Sequence, residues 1–121
     1  MFSFLNKTDN NSTSFPWKNV ESLDLLNSLM NSDEPILIFK HSTRCIISKT
    51  VKSRFETMAN ESTMDMYLVL VIEERPFSNH IADSSGITHQ SPQALIFKGG
   101  KCVYDESHDE ILDERIMAHL L

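Results

Sequence analysis

Cysteine is scarce in this chain: there are two in 121 residues. That is too few for the disulfide framework by which small secreted domains supplement a limited core. Basic residues are also in deficit. Eleven Lys and Arg face seventeen Asp and Glu, a net charge of −6, which argues against a general binder of nucleic acid or other polyanions. Long apolar runs are missing. The start, Met1-Phe2-Ser3-Phe4-Leu5, falls short of the about 7–15 residues of a signal-peptide core. No run approaches the roughly 18 apolar residues of a membrane span. Neither a nucleic-acid nor a membrane partner is expected. The expected location is the cytoplasm, a reducing compartment where cysteine chemistry is catalytic or redox-linked.

Other chemistries fail on spacing. His41, His80, His89, His108 and His119 are scattered, with no His/Cys pairing of zinc type, so no metal is expected. No Gly-rich phosphate loop and no Gly-x-Ser-x-Gly motif occurs. Cys45-x5 lands on Val51 where a phosphatase loop needs Arg. Ser42-x-x-Cys45 echoes a peroxiredoxin nucleophile, but the proline that should precede it is Ile38.

What remains is one soluble domain with ordinary content, 40% hydrophobic and 23% charged. Residues 1–15 read as a disordered lead-in, with the domain over 16–121; Thr8 to Ser14 have nothing to bury. Leu23, Leu26, Leu29 and Met30 recur at helical spacing, predicting a helix over about 21–31 with Ser22 or Glu21 near its cap. Ile36 to Lys40 is a continuous apolar strand suited to the middle of a sheet. Ile47, Val51, Phe55 and Met58 mark an amphipathic helix from Cys45 to about Asn60. Met66 to Ile72 reads as a second buried strand. Pro76, placed at N1, and Gly86, at C′, bracket a helix burying Phe77 and Ile81. Ala94 to Lys98 is a third strand, Gly99-Gly100 a turn, and Lys101 to Asp105 a fourth strand. Ser107 and Glu110 suggest a capping box before a last helix with Leu112, Ile116 and Leu120 as its buried stripe. The order α-β-α-β-α-β-β-α gives an α/β class: a three-layer sandwich with a central mixed sheet of four strands flanked by helices.

Cys45 opens a helix directly after a buried strand, and Pro92 enters a later strand in Ser91-Pro92-Gln93-Ala94-Leu95. A thiol attacks as its thiolate, and a helix N-terminus favours the charged form. Arg44 is adjacent, Lys49 lies one turn on, and Lys40 and His41 are just upstream. Ser48, three residues after Cys45, can donate a hydroxyl hydrogen bond to the sulfur. His41 by itself reads as a solvated turn residue. Pro92 alone would mark the start of an edge strand. With Cys45 upstream it is read as a cis Ser91–Pro92 bond that presents the Ser91 backbone to an extended substrate. Cys102 falls just past the hairpin tip, opposite about Phe97. Five residues of strand, about 16 Å at about 3.3 Å each, separate that level from Pro92, beyond the reach of a disulfide. Cys102 is therefore expected to pack on its strand, and any resolving thiol must come from another molecule.

The run Pro35-Ile36-Leu37-Ile38-Phe39-Lys40-His41-Ser42-Thr43-Arg44-Cys45-Ile46-Ile47-Ser48 resembles the active-site stretch of monothiol bacilliredoxin-like proteins, thioredoxin-fold members of the bacillithiol system. Arg75-Pro76-x-Ser78-Asn79-x-Ile81-Ala82, His89-Gln90-Ser91-Pro92-Gln93 and the Trp17-led start are similar too, so that the resemblance spans about 17–121. It implies a thioredoxin-like fold and an oxidoreductase. Cys45 would take the small thiol, bacillithiol as co-substrate, from S-thiolated client proteins. Ser48 would stand at the second active-site position, with Arg44 beside the nucleophile. Ser42, Thr43, Ser91 and Pro92 would face the substrate. No bound cofactor is expected, and a monomer is. Ile46 departs from the family, whose members often carry proline after the cysteine. Phe39 stands where ordinary thioredoxins hold a buried acid. The alternatives left open are a glutaredoxin-like enzyme using another thiol, a non-catalytic redox sensor or thiol-binding adaptor, and a structural thioredoxin-like module.

Overall fold

The structure, a computed structural model, describes residues 14–121. The expectation of a disordered lead-in therefore lies outside the described residues over 1–13. Phe15, placed at its end, already packs on the core, with its ring centroid 4.8 Å from that of Trp17.

In chain order the elements are β1 (Lys18–Asn19), α1 (Leu23–Met30), β2 (Ile36–His41), α2 (Ile46–Met58), β3 (Asp65–Leu70), α3 (Arg75–Ser85), β4 (Gln93–Lys98) and β5 (Lys101–Ser107). The 3-10 turns His108–Leu112 and Glu114–Ile116 and a short α4 (Met117–Leu120) close the chain. Among the described residues the sheet has five strands, in the order β1-β3-β2-β4-β5, and not the expected four. The extra strand is β1, which runs parallel to β3 with Lys18 opposite Tyr67. Both of its residues are exposed, so it carries no apolar pattern. β2 pairs in parallel with β3 and antiparallel with β4, and β4 pairs antiparallel with β5.

All six residues of β2 are buried, because helices cover both faces of the sheet. Leu37 and Phe39 point into one core with Val51 and Phe55 of α2 and with Ile111, Ile116 and Leu120 of the C-terminal segment. Ile36 and Ile38 point into the other, with Leu26 and Met30 of α1 and Ile81 of α3. An aromatic cluster seats α2 on the sheet. Phe39 lies 5.3 Å from Phe55 and 5.5 Å from Trp17, centroid to centroid. The Trp17 Nε1–H donates to Glu56 Oε2 at 2.6 Å, and Lys52 pairs with the same oxygen at 2.7 Å.

Caps and turns explain several boundaries. Ser22 caps α1 by accepting from the Leu25 N–H at 3.0 Å. Pro76 sits at the second helical position, one later than expected, since Glu74 is the N-cap of α3. Phe77 is only partly buried. The turn between β4 and β5 needs Gly99 and Gly100, which sit at φ +61° and +82° in the left-handed region that a tight hairpin turn requires. The expected C-terminal helix is not continuous. His108 enters at φ +58°, Ser107 makes no side-chain cap, and the extended Asp113 separates the two 3-10 turns. Ile111, Ile116 and Leu120 are buried, whereas Leu112, expected in the buried stripe, is only partly covered.

Candidate functional site

β2, the central strand, delivers its last residues to one end of the sheet, and the chain turns there through Ser42, Thr43 and Arg44 into α2. Cys45 is the N-cap of that thirteen-residue helix, with φ −110° and ψ 121°. The helix's first internal bond runs from the Lys49 N–H to the Cys45 carbonyl at 3.1 Å. The N–H groups of Ile46, Ile47 and Ser48 thus have no intrahelical carbonyl, and the helix dipole presents its positive end at Cys45. The thiol is free and partly exposed. The Cys45 side chain makes no capping bond.

Ser42 holds the turn. Its carbonyl accepts from the Cys45 N–H at 3.4 Å, its hydroxyl accepts from the Arg44 N–H at 3.4 Å, and its own N–H donates to Ser48 Oγ at 3.1 Å. The Thr43 hydroxyl donates to Glu73 Oε2 at 3.0 Å, tying the turn to the chain between β3 and α3. Arg44 is exposed.

Ser48 departs from expectation. It is fully buried, and its hydroxyl lies 2.8 Å from His41 Nδ1 as well as accepting from Ser42. The expected hydrogen bond to the sulfur is not made; among the described residues none reaches Cys45 Sγ. The reason is the face on which His41 lies. It is not a solvated turn residue but 6% exposed, on the α2 side of β2, where it competes for the Ser48 hydroxyl. Burial lowers the His41 pKa below the ordinary 6.5. Lys52 and Lys49 lower it further, and Glu56 and Glu73 oppose them.

Lys40, next in the strand, faces the opposite side. Its side chain is fully buried and its ammonium donates to the Ser78 carbonyl in α3 at 3.2 Å. Burial brings its pKa down to about 8. The Ser78 hydroxyl in turn lies 3.3 Å from His89 Nδ1. The His89 pKa is lowered by desolvation and then by Lys40 and Arg75. None of these contacts is legible in a list of apolar positions; a lysine at the end of the apolar strand Ile36 to Lys40 was the one available signal.

The Ser91–Pro92 bond is cis. The ladder pairs Lys40 with Gln93, so Pro92 lies one step further, level with His41 and with the start of the turn to Cys45. Gln93 is buried and latches the approach to this bond, donating to the Thr88 carbonyl at 3.0 Å and accepting from the Gln90 N–H at 3.4 Å. The Pro92 carbonyl accepts from the His108 N–H at 2.9 Å. Among the described residues, Ser91 Oγ is buried without a partner. Turn, helix start and cis-proline strand therefore meet at one end of the sheet. Cys102 does not join them. It pairs with Phe97, packs beside the core on the α1/α3 side, and donates to the Tyr104 carbonyl at 3.4 Å. Burial and the nearby Asp105 raise its pKa to about 11. Among the described residues no three His, Cys, Asp or Glu side chains converge as metal ligands, and no helix is long and apolar enough to cross a membrane.

Residues 18–116 match the sequence model of a family described as monothiol bacilliredoxin BrxC. Among solved structures, one described as a candidate oxidoreductase with a thioredoxin fold is 29% identical, with a TM-score of 0.73 over 84% of this chain and 91% of that one. The thioredoxin of Malassezia sympodialis is similar at 19% identity and TM-score 0.67, over 88% of this chain and 90% of its own. The thioredoxin of Trypanosoma brucei brucei is similar at 18% and 0.68, over 92% and 96%. These last two likenesses concern the fold.

Proposed function

The chain belongs to the monothiol bacilliredoxin BrxC family, and from that premise we propose that it removes bacillithiol from mixed disulfides on client proteins, with Cys45 as nucleophile. Family and fold place it with the thiol–disulfide oxidoreductases; the choice of small thiol, the one-cysteine mechanism and a cytoplasmic setting are our reading. The observation that carries it is Cys45 as the partly exposed N-cap of α2, level with the strand that Pro92 enters.

The Cys45 thiolate attacks the bacillithiol sulfur of a protein–bacillithiol disulfide. A new S–S bond forms between Cys45 and bacillithiol as the old one breaks. The protein thiolate leaves and takes a proton from solvent. No electrons are gained or lost overall; the disulfide has moved. A second bacillithiol, as its thiolate, then attacks the bacillithiol sulfur of the adduct: the disulfide of the two small thiols forms, the bond to Cys45 breaks, and Cys45 leaves as thiolate. Arg44 stands beside the nucleophile at the start of α2. Ser42, Thr43, Ser91 and Pro92 border the approach, and Ser48 fixes the turn through His41 and the Ser42 N–H.

The test is turnover of one protein carrying bacillithiol against the same protein carrying glutathione, with Cys45→Ser as control. Preference for the bacillithiolated protein, abolished by Cys45→Ser, is the expected result. Equal rates would favour a glutaredoxin-like enzyme. Capture of one equivalent without recycling would favour a redox sensor or adaptor.

A further inference from the structure

The residues that follow Cys45 make a surface that the cores among the described residues do not use. Ile46 is 78% exposed and Ile47 59%, and neither belongs to either core. Arg44 and Lys49 flank them, both exposed, with exposed Arg54 two turns along from Ile47. The first turn of α2 carries no acid. The glutamates that act on His41 beneath the turn are engaged elsewhere, Glu56 by Lys52 and Trp17 and Glu73 by Thr43. An apolar and basic patch thus surrounds the thiol on a chain whose net charge is −6.

A small disulfide can reach Cys45 through its sulfur and cover little of this patch. A protein cannot. To bring a modified cysteine to Cys45 it must lay the residues beside that cysteine over Ile46 and Ile47, which project from the next two positions. We propose that Ile46, Ile47, Arg44 and Lys49 form a docking surface for client proteins whose modified cysteine is flanked by apolar and acidic side chains. The occupant's identity as a client rests on the exchange function above; its chemistry rests on the patch. Apolar side chains cover the two isoleucines, and carboxylates answer the cations, speeding encounter.

Two short peptides carrying the same small thiol on one cysteine test this, one with Leu and Glu flanks and one with Ser and Lys flanks. The expected result is a KM about tenfold lower for the Leu/Glu peptide, with the gap narrowing in high salt. Ile46→Ser with Ile47→Ser raises that KM about tenfold at unchanged kcat. The same variant reacts with the small thiol's own disulfide within about twofold of the wild-type rate, since exposed substitutions leave the thiol and the fold intact. Equal KM values for the two peptides, or a loss shared by peptide and small disulfide, would overturn the docking surface. A second arm measures binding of the Leu/Glu peptide to the Cys45→Ser protein, where no exchange can occur. Binding that the double substitution abolishes, in a chain that turns over no mixed disulfide, refutes the exchange function and keeps the surface. Turnover that ignores Ile46 and Ile47 does the reverse.

Discussion

His41 and Ser48 hold each other in a space where neither has water to fall back on. Ser48→Ala leaves His41 Nδ1 and the Ser42 N–H without their partner, a desolvation penalty of about 1–3 kcal/mol. We expect that loss in denaturant unfolding. The pair also ties stability to pH. The pKa of His41 is lowered on folding, so the unfolded chain binds its proton first, and stability falls as pH drops from 6.5 towards the folded value. His41→Gln should flatten the fall between pH 7.5 and 5.5; the part due to His89, also lowered, remains. An unchanged slope would mean that His41 is solvated. Lys40 works at the other end of the scale. Its pKa drops from 10.5 to about 8 on folding, so stability should rise with pH across that window, by on the order of 3 kcal/mol at most. Cys102, raised from 9.0 to about 11, acts in the opposite sense, because the folded chain keeps a proton that the unfolded chain releases. The comparison of wild type with Lys40→Met isolates the lysine: the variant should lose the rise and be the more stable protein at pH 7.

At the scale of elements, the position of Ser48 on α2 makes a sharp test. It lies one turn after the N-cap Cys45, where two-cysteine relatives of this fold would carry a second thiol. Ser48→Cys should supply an internal resolving thiol, so that a small-thiol adduct on Cys45 is released as the introduced thiol forms a disulfide with Cys45. Intact mass before and after release reads it directly; a persistent adduct would show that the introduced thiol cannot reach the sulfur. This prediction could be made from the chain because the elements that carry Cys45 announce themselves. The run Ile36 to Phe39 and the three-to-four spacing of Ile47, Val51, Phe55 and Met58 reflect burial that has one physical cause, and the cis Ser91–Pro92 bond followed from reading the two elements together. What the chain hid has causes too. β1 is held by backbone pairing of two exposed residues. The C-terminal segment buries Ile111 in place of Leu112 because His108 and Asp113 interrupt the helix. Lys40 and His41 are neighbours in sequence but go to opposite faces of β2, and only their partners in α3 and α2 reveal what each does.

Across the whole molecule, the sheet keeps its two thiols apart. Cys45 sits at the end of the sheet where β2 finishes and the cis-proline enters β4. Cys102 pairs with Phe97, which pairs with Ile36 at the start of β2. The five residues of strand from Pro92 to Phe97 span about 16 Å, more than twice the Cα separation a disulfide tolerates. Chemistry reinforces geometry, since a thiol raised to about 11 is almost wholly protonated at neutral pH. Oxidised bacillithiol should therefore add the mass of one small thiol to the wild-type protein, on Cys45, and leave Cys102 free in the peptide map. Cys102→Ala should leave turnover nearly unchanged, and Cys45→Ser should abolish both adduct and turnover. A Cys45–Cys102 disulfide within the oxidised monomer would falsify the one-cysteine mechanism and the strand register together, because forming it requires the β4–β5 hairpin to leave the sheet.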